Sequence, residues 1–403
     1  MNAFTFAPPP PSTPAAEALR LEVRAFLAEA LRGRTPAQRA QSWSGVDPAF
    51  SAAMGARGWL GMTWPTEYGG HARPALERYV VLEEMLAAGA PVGFHWIAER
   101  QSGPSLLRYG TEAQRRAILP RIAAGLCSFC IGMSEPDSGS DLAAARTRAH
   151  PVPGGWLVRG TKLWTTGAHY ADYMILFCRT DAPNAASGAA AASDDRHAGA
   201  SQFLVDLKQA QGAAQGAGVT IRPILDMRGA HHFNEVVIND LLLPADALLG
   251  QAGDGWKQVT GELAYERSGP DRFLSSFTLL VEAIRTLGPT APERAAVAIG
   301  RLTAHILALR RLSRSVAGML QADADTATDP ALPAALVKDL GNVLEQETVE
   351  VVRLLLDAEP SEHDPAPLNA VLAQLVMTAP SFSLRGGTRE ILRGMIARGL
   401  GLR

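Results

Sequence analysis

The residues best suited to chemistry in this chain of 403 residues lie in three places. The first is Met133-Ser134-Glu135-Pro136-Asp137-Ser138-Gly139-Ser140-Asp141, a turn punctuated by Pro136 and Gly139. Its short hydroxyls and free backbone N–H groups can meet phosphate or carbonyl oxygens. The second is Lys162-Leu163-Trp164-Thr165-Thr166-Gly167. The Trp164 indole can lie against a flat ring, and the two threonine hydroxyls can meet ring heteroatoms. The third is Glu266. Trp256, Val259, Leu263 and Glu266 fall at steps of three, four and three, which places a carboxylate on the apolar stripe of a helix. Carboxylates are seldom buried without a purpose, either as a base or in an ion pair with an arginine.

Order and spelling add a family resemblance. Ser-Glu-Pro-Asp-Ser-Gly-Ser-Asp, Arg146-Thr147, Gly160-Thr161-Lys162-Leu163-Trp164-Thr165-Thr166 and Ala171-Asp172-Tyr173 resemble the flavin-binding middle domain of the acyl-CoA dehydrogenase family. Arg385-Gly386-Gly387-Thr388-Arg389-Glu390-Ile391-Leu392-Arg393, with Ile396-Ala397-Arg398-Gly399-Leu400-Gly401, resembles its closing motif. Phe233-Asn234-Glu235-Val236 and Leu243-Pro244-Ala245-Asp246 fit its sheet-to-helix junction, so the likeness runs from about residue 58 to the C-terminus. It implies FAD as cofactor. It implies that Ile131, Met133 and Ser134 border the isoalloxazine, with Gly139 and Ser140 near the cofactor or the pantetheine arm. Trp164, Thr165 and Thr166 would cover the ring, with Thr388 and Glu390 near the adenosine half or its linker. The reaction implied removes hydrogens from the α and β carbons of an acyl thioester.

Two departures from the family pattern bear on catalysis. Many members carry the catalytic Glu directly before Gly-Thr in the closing motif, where this chain has Gly386, which cannot take a proton. Glu266-Arg267 matches the Glu-Arg of a second branch, in which that Glu is the base, and Arg267 matches an arginine close to the active site. Gly386 keeps its backbone N–H, a donor able to polarise the thioester carbonyl. The second departure is the absence of an Arg-x-x-Phe-Gly that reaches a neighbouring subunit's FAD; Arg272, Arg285 and Arg301 are the candidate replacements.

Helical spacing of Leu19, Val23, Phe26, Leu27, Ala30 and Leu31 opens the chain, with further helices over 79–87 and 105–124, the latter interrupted at Pro120. The stretch 58–70 is a loop whose aromatics serve a pocket or the core. Strands are predicted at 173–178, 202–207, 219–224 and 235–238. Two Ala/Gly/Ser/Gln-rich insertions, 182–200 and 209–218, interrupt them as loops. After Pro244 the steps of Ile299 to Leu320, and of Leu336, Leu340 and Val343, are helical, and Gly269-Pro270 ends the Glu266 helix. The division is a disordered arm at 1–14, a helical N-terminal domain at 15–127, a central flavin-binding β domain at 128–243 and a helical C-terminal part at 244–403. With the resemblance this is an α+β multidomain chain with a β-barrel-like centre and a C-terminal four-helix bundle.

Lys and Arg total 38 against 40 Asp and Glu, net −2, and no basic block stands out, so nucleic acid is not the expected partner. No apolar run reaches the ~20 residues of a membrane span, and the Pro-rich start lacks the make-up of a secretion signal. The cysteines number three. Cys127 and Cys130 form a C-x-x-C inside an apolar strand-like run, read as ordinary thiols of a cytoplasmic protein. His231-His232 lacks further ligands, and no metal is expected. The expected activity is that of an FAD-dependent acyl-CoA dehydrogenase of lipid metabolism, an oxidoreductase acting on a CH–CH group. Its substrate would be an acyl-CoA or carrier-protein thioester, its electron acceptor an electron-transfer flavoprotein, and its assembly a homotetramer or homodimer. The alternatives are a flavin oxidase or monooxygenase on the same fold, and a catalytically silent subunit of a hetero-oligomer.

Overall fold

The computed structural model describes residues 6–180, 196–211, 217–321, 329–356, 360–361 and 366–402. Before the sheet come α1 (Pro14–Ala30), α2 (Pro36–Arg39), α3 (Pro48–Gly55), α4 (Ala75–Ala87), α5 (Gly93–Ile97), α6 (Gly103–Tyr109) and α7 (Glu112–Ala123). Local rules set their ends. Thr13 accepts from the Ala16 N–H ahead of Pro14, and Thr111 and Gln114 close a reciprocal capping box. That cap separates α6 from α7 at Gly110. Pro120, expected to interrupt a helix, lies within α7, so the break falls about ten residues earlier in the chain, as helix-start chemistry dictates. A π-helical turn, Ala98–Ser102, joins α5 to α6.

The sheet contains β1 (Phe129–Gly132), β2 (Arg148–Val152), β3 (Gly155–Lys162), β4 (Tyr173–Thr180), β5 (Ala200–Asp206), β6 (Gly218–Leu225), β7 (His231–Pro244) and β8 (Leu248–Leu249), with the short α8 (Leu207–Gln211) after β5. Its order is β6-β7-β3-β2-β4-β5-β8, and β1 runs parallel to β4. β2 and β3 went unseen in the sequence, because Pro151 and Gly160 blur their alternation. Of the predicted insertions, residues 182–195 and 212–216 lie outside the described residues. Cys130, Val158, Met174, Phe203, Val236 and Ile238 pack the sheet's own core.

The chain then returns to helix: α9 (Gly255–Arg267), α10 (Phe277–Leu287), α11 (Glu293–Gln321), α12 (Ala331–Leu355), α13 (Pro367–Thr378) and α14 (Arg389–Gly399). The terminal helices share one core, since Val23, Leu27, Met54, Trp59 and Met85 pack in the same cluster as Leu302, Leu309, Val316, Val337 and Leu344. Trp59 and Trp64 of the predicted loop are 3% exposed and serve the core.

One expectation needs correction. The arm is docked where it is described: Arg314 donates to the Pro10 carbonyl at 2.7 Å, Ser315 to that of Ala7, and Phe6 packs on the helical core. Leu336, Leu340 and Val343, read as helical steps, lie on α12, whose buried face runs elsewhere. Leu340 is 46% exposed, while Val337, Lys338, Gly341, Leu344 and Glu345 face inward. The inward face is mixed because it must meet both a core and a loop carbonyl.

Candidate active site

The flavin-motif segments lie side by side at the end of β1 and the end of β3. Ile131 is on β1 opposite Ile175, and Met133 and Ser134 follow it. The Ser134 carbonyl accepts from the Leu163 N–H at 2.8 Å, which ties the first segment to the second. Trp164 then adopts φ +58, a left-handed conformation rare for a bulky residue, and its side chain is 57% exposed. Its indole and the Phe233 ring meet in a T-shaped pair, with ring centroids 5.9 Å apart. Thr165 is buried and clamped from β7: its N–H donates to the Asn234 carbonyl at 3.0 Å, and its carbonyl accepts from Asn234 Nδ2 at 2.8 Å. Asn234 in turn lies 2.7 Å from His231 Nε2. Gly139 and Ser140 sit on the exposed tip of the Ser-rich turn.

A cavity of about 130 Å³ opens next to Thr166, walled by Trp43, Tyr170, His232, Arg100, Asp271 and Arg385. Its deep wall is ionic. Asp271 lies 2.7 Å from Arg100 and 3.0 Å from Arg272. Burial pushes the Asp271 carboxyl up, but Arg100, Arg272 and Arg385 outweigh it and hold the group below its ordinary value. Arg385 reaches Ser275 Oγ at 2.7 Å and Glu345 at 3.2 Å, and its guanidinium lies 4.5 Å from the Trp43 ring centroid. Glu345 is fully buried; desolvation raises its pKa, against the pull of Arg385 and the Ser275 N–H.

The Gly-Gly loop beside this wall is braced from two helices. Arg267, 3% exposed at the end of α9, donates from Nε to the Gly386 carbonyl at 3.1 Å. Lys338 of α12 donates to the Gly387 carbonyl at 2.7 Å. Gly386 and Gly387 have φ +68 and +94, a conformation that suits glycine and strains other residues. Thr388 occupies the N-cap position of α14, with Glu390 in the first turn; the Glu390 N–H and Thr388 lower the Glu390 carboxyl. Glu266 belongs to the last turn of α9, and its side chain lies outside the described residues.

Residues 13–126 match the family model for the acyl-CoA dehydrogenase N-terminal domain, and residues 130–241 that for the middle domain. The chain is 32% identical over 398 residues to acyl-CoA dehydrogenase FadE29 of Mycobacterium tuberculosis, covering 96% of each. The chain belongs to the acyl-CoA dehydrogenase family. Among solved structures, the Tcur3481-Tcur3483 steroid ACAD superposes with a TM-score of 0.82 at 28% identity, over 98% of this chain and 99% of that one. The ChsE4-ChsE5 complex from Mycobacterium tuberculosis gives 0.80 at 29% identity, over 98% and 99%.

Acyl-CoA dehydrogenases are flavin-dependent oxidoreductases acting on CH–CH bonds, and FAD is this chain's cofactor. The residues present fit it. A large indole held half-exposed at positive φ has the shape and exposure that a platform for a flat ring needs. The Ser134 N–H beside it donates to no group among the described residues. In this acyl-CoA dehydrogenase Arg272 is 1% exposed and held by Asp271, which removes it as a replacement for the missing intersubunit arginine. Arg285 remains on the surface, paired with Glu282 at 2.6 Å, and Arg301 is exposed. His231 stacks on His169 at 3.8 Å, and no metal-binding cluster occurs among the described residues. Nor is any described helix long and apolar enough to cross a membrane. Cys127, Cys130 and Cys178 are free and buried, and burial pushes Cys127 up to about 12, far from a reactive thiolate.

Sequence reasoning missed Trp43, Arg100 and Asp271 in the cavity wall, since nothing in their local spacing links positions so far apart in the chain. Arg385, Glu135 and Lys162 fall within the recognised motifs, but their roles depend on partners from other elements. The available signal was a lysine at the end of a strand that must be covered on both faces.

Proposed function

We propose that the chain dehydrogenates an acyl thioester, carried by CoA or a carrier protein, to the trans-2-enoyl product, with Glu266 as base. Bound FAD supplies the acceptor for the hydride that leaves the β-carbon. Glu266 takes the α-proton. The Gly386 N–H donates to the thioester carbonyl and stabilises the charge that develops there. Arg267 holds the loop that carries this donor, and Thr166 orients the ring edge. Electrons pass onward to an electron-transfer flavoprotein. The observation that carries the reading is the 3.1 Å contact from Arg267 to the Gly386 carbonyl. It joins the end of the Glu266 helix to the donor loop, beside a cavity whose wall includes Thr166 and Arg385.

The test is anaerobic addition of a panel of acyl-CoAs to the purified yellow protein, wild type and Glu266→Gln. Bleaching of the flavin in wild type only supports Glu266. Equal reduction of the variant removes it from the role.

A second reading is a subunit of a hetero-oligomer. It is favoured by the two-component names of the Tcur3481-Tcur3483 and ChsE4-ChsE5 structures, and by the burial of Arg272 within its own protomer. A chain that retains FAD only when expressed with a homologous partner supports this reading over a homotetramer or homodimer. Buried free thiols throughout the described chain suit a reducing cytoplasm.

A further inference from the structure

Beneath the flavin-motif turn lies an ion pair that takes no part in the proposed chemistry. Lys162 is fully buried, and its Nζ lies 2.7 Å from Glu135 Oε1 and 3.0 Å from the Met133 carbonyl. The Glu135 carboxylate is 6% exposed and also accepts the Arg146 N–H at 2.6 Å and the Thr147 N–H at 2.9 Å. Glu135 and Ser138 close the turn with reciprocal backbone bonds of 2.7 and 3.2 Å. A buried charge pair is costly to desolvate and seldom the most stable filling for its space, so its value lies in what it orients.

What it orients is one peptide. In a planar trans peptide the C=O and the following N–H point in opposite directions. Lys162 draws the Met133 carbonyl inward, so the Ser134 N–H faces away from the ammonium. That N–H has no acceptor among the described residues. The Ser134 carbonyl, in the next peptide, is separately fixed by the Leu163 N–H, so the Lys162 contact is the one that holds the Met133–Ser134 peptide itself. Trp164, the half-exposed ring platform, follows Leu163 directly.

We infer that Lys162 is a positioning residue, seated by Glu135, which aims the Ser134 N–H at the flavin and so favours the reduced, more electron-rich ring. The inference rests on the proposed placement of FAD beside Met133, Ser134 and Trp164. A donor at the ring edge strengthens as negative charge develops on reduction. Removing the ammonium frees the Met133–Ser134 peptide to rotate; neutralising Glu135 alone leaves the Lys162 bond to the Met133 carbonyl in place.

The test compares wild type, Lys162→Met, Glu135→Gln and the double variant. Three quantities are read: apoprotein thermal midpoint, FAD dissociation constant by fluorescence quenching, and flavin midpoint potential by dye equilibration. Lys162→Met leaves a buried carboxylate unpaired and loses stability, and the double variant regains it by neutralising both partners. The expected result is that Lys162→Met and the double variant bind FAD about tenfold more weakly. Their midpoint should fall by about 30 mV, the two-electron equivalent of a tenfold change. Glu135→Gln should stay within about threefold of wild type in FAD affinity. A double variant that folds with wild-type FAD affinity and potential overturns the inference and leaves a purely structural pair. A wild-type chain that binds no FAD overturns the flavin-site reading itself, which separates the two failures.

Discussion

Arg267 and His95 show how single side chains divide the work of site and fold. Arg267 pairs a buried guanidinium with the Gly386 carbonyl, and hydrogen bonds to charged groups contribute about 1.5–3 kcal/mol. Arg267→Met should slow flavin reduction by about ten- to hundredfold in stopped-flow traces while FAD content stays near wild type. Gly386→Glu, which restores the residue many family members carry, should not rescue Glu266→Gln. At φ +68 a side chain is strained by about 1–2 kcal/mol, so the new carboxylate is held in the wrong backbone. His95 is buried against Ser51 Oγ, 2.8 Å away, and burial depresses it to about 4, with Glu99 pulling weakly the other way. Its folded value lies below the ordinary 6.5, so the unfolded chain binds the proton first as pH falls. The resulting stability is full above pH ~6.5, declines between there and pH ~4, and totals roughly 3 kcal/mol at most. Urea unfolding from pH 7 to 4.5 should show this slope, and His95→Asn should lessen it. His232, also held at about 4 by burial, keeps its own share.

Among the elements, α12 departs furthest from a simple amphipathic helix. Its inward face carries Lys338 and Glu345, which reach the Gly387 carbonyl and Arg385 on the site loop. That helix is therefore a brace for the site as well as a part of the core. Lys338→Met keeps the stem volume and removes the donor. It should raise the KM for acyl-CoA severalfold and lower the reduction rate about tenfold, with far-UV circular dichroism unchanged. A variant with unaltered kinetics would show that α9 alone holds the loop. At the other end of the fold, the Thr111 capping box starts α7 just after α6, and Thr111→Ala should cost about 1 kcal/mol in urea unfolding.

Over the whole molecule, the two terminal helical parts share a core, so neither is expected to fold alone. The docked arm adds to that core through Phe6 and the Pro10 carbonyl. Deleting residues 1–12 should lower the thermal midpoint by a few degrees at most, as a loss of about 1–2 kcal/mol does for a large chain. The outward faces of α12 and α14 leave Leu340 46% and Ile391 42% exposed, apolar surface that suits a partner subunit. Light scattering should report an oligomer for the wild type and a smaller species for Leu340→Glu/Ile391→Glu. Wild type already monomeric would move the hetero-oligomer reading ahead.

What the chain spells out locally was legible before any coordinates. The Ser-rich turn, the Trp164 segment, the Glu-Arg pair and the closing Gly-Gly motif are contiguous words, and contiguous residues meet their neighbours in any fold that forms them. Helical periods of three and four marked α1, α4 and α11 for the same reason, because a helix is stabilised by bonds four residues apart. The tertiary structure alone decided the rest. It chose which face of α12 is buried, because a loop from far along the chain supplies the carbonyl that Lys338 must meet. It assembled the cavity wall from Trp43, Arg100, Asp271 and Arg385, groups with no local signature whose charges can be buried only when brought together. It also set the conformation of Trp164, since the Asn234 clamp that holds the next residue comes from a different strand.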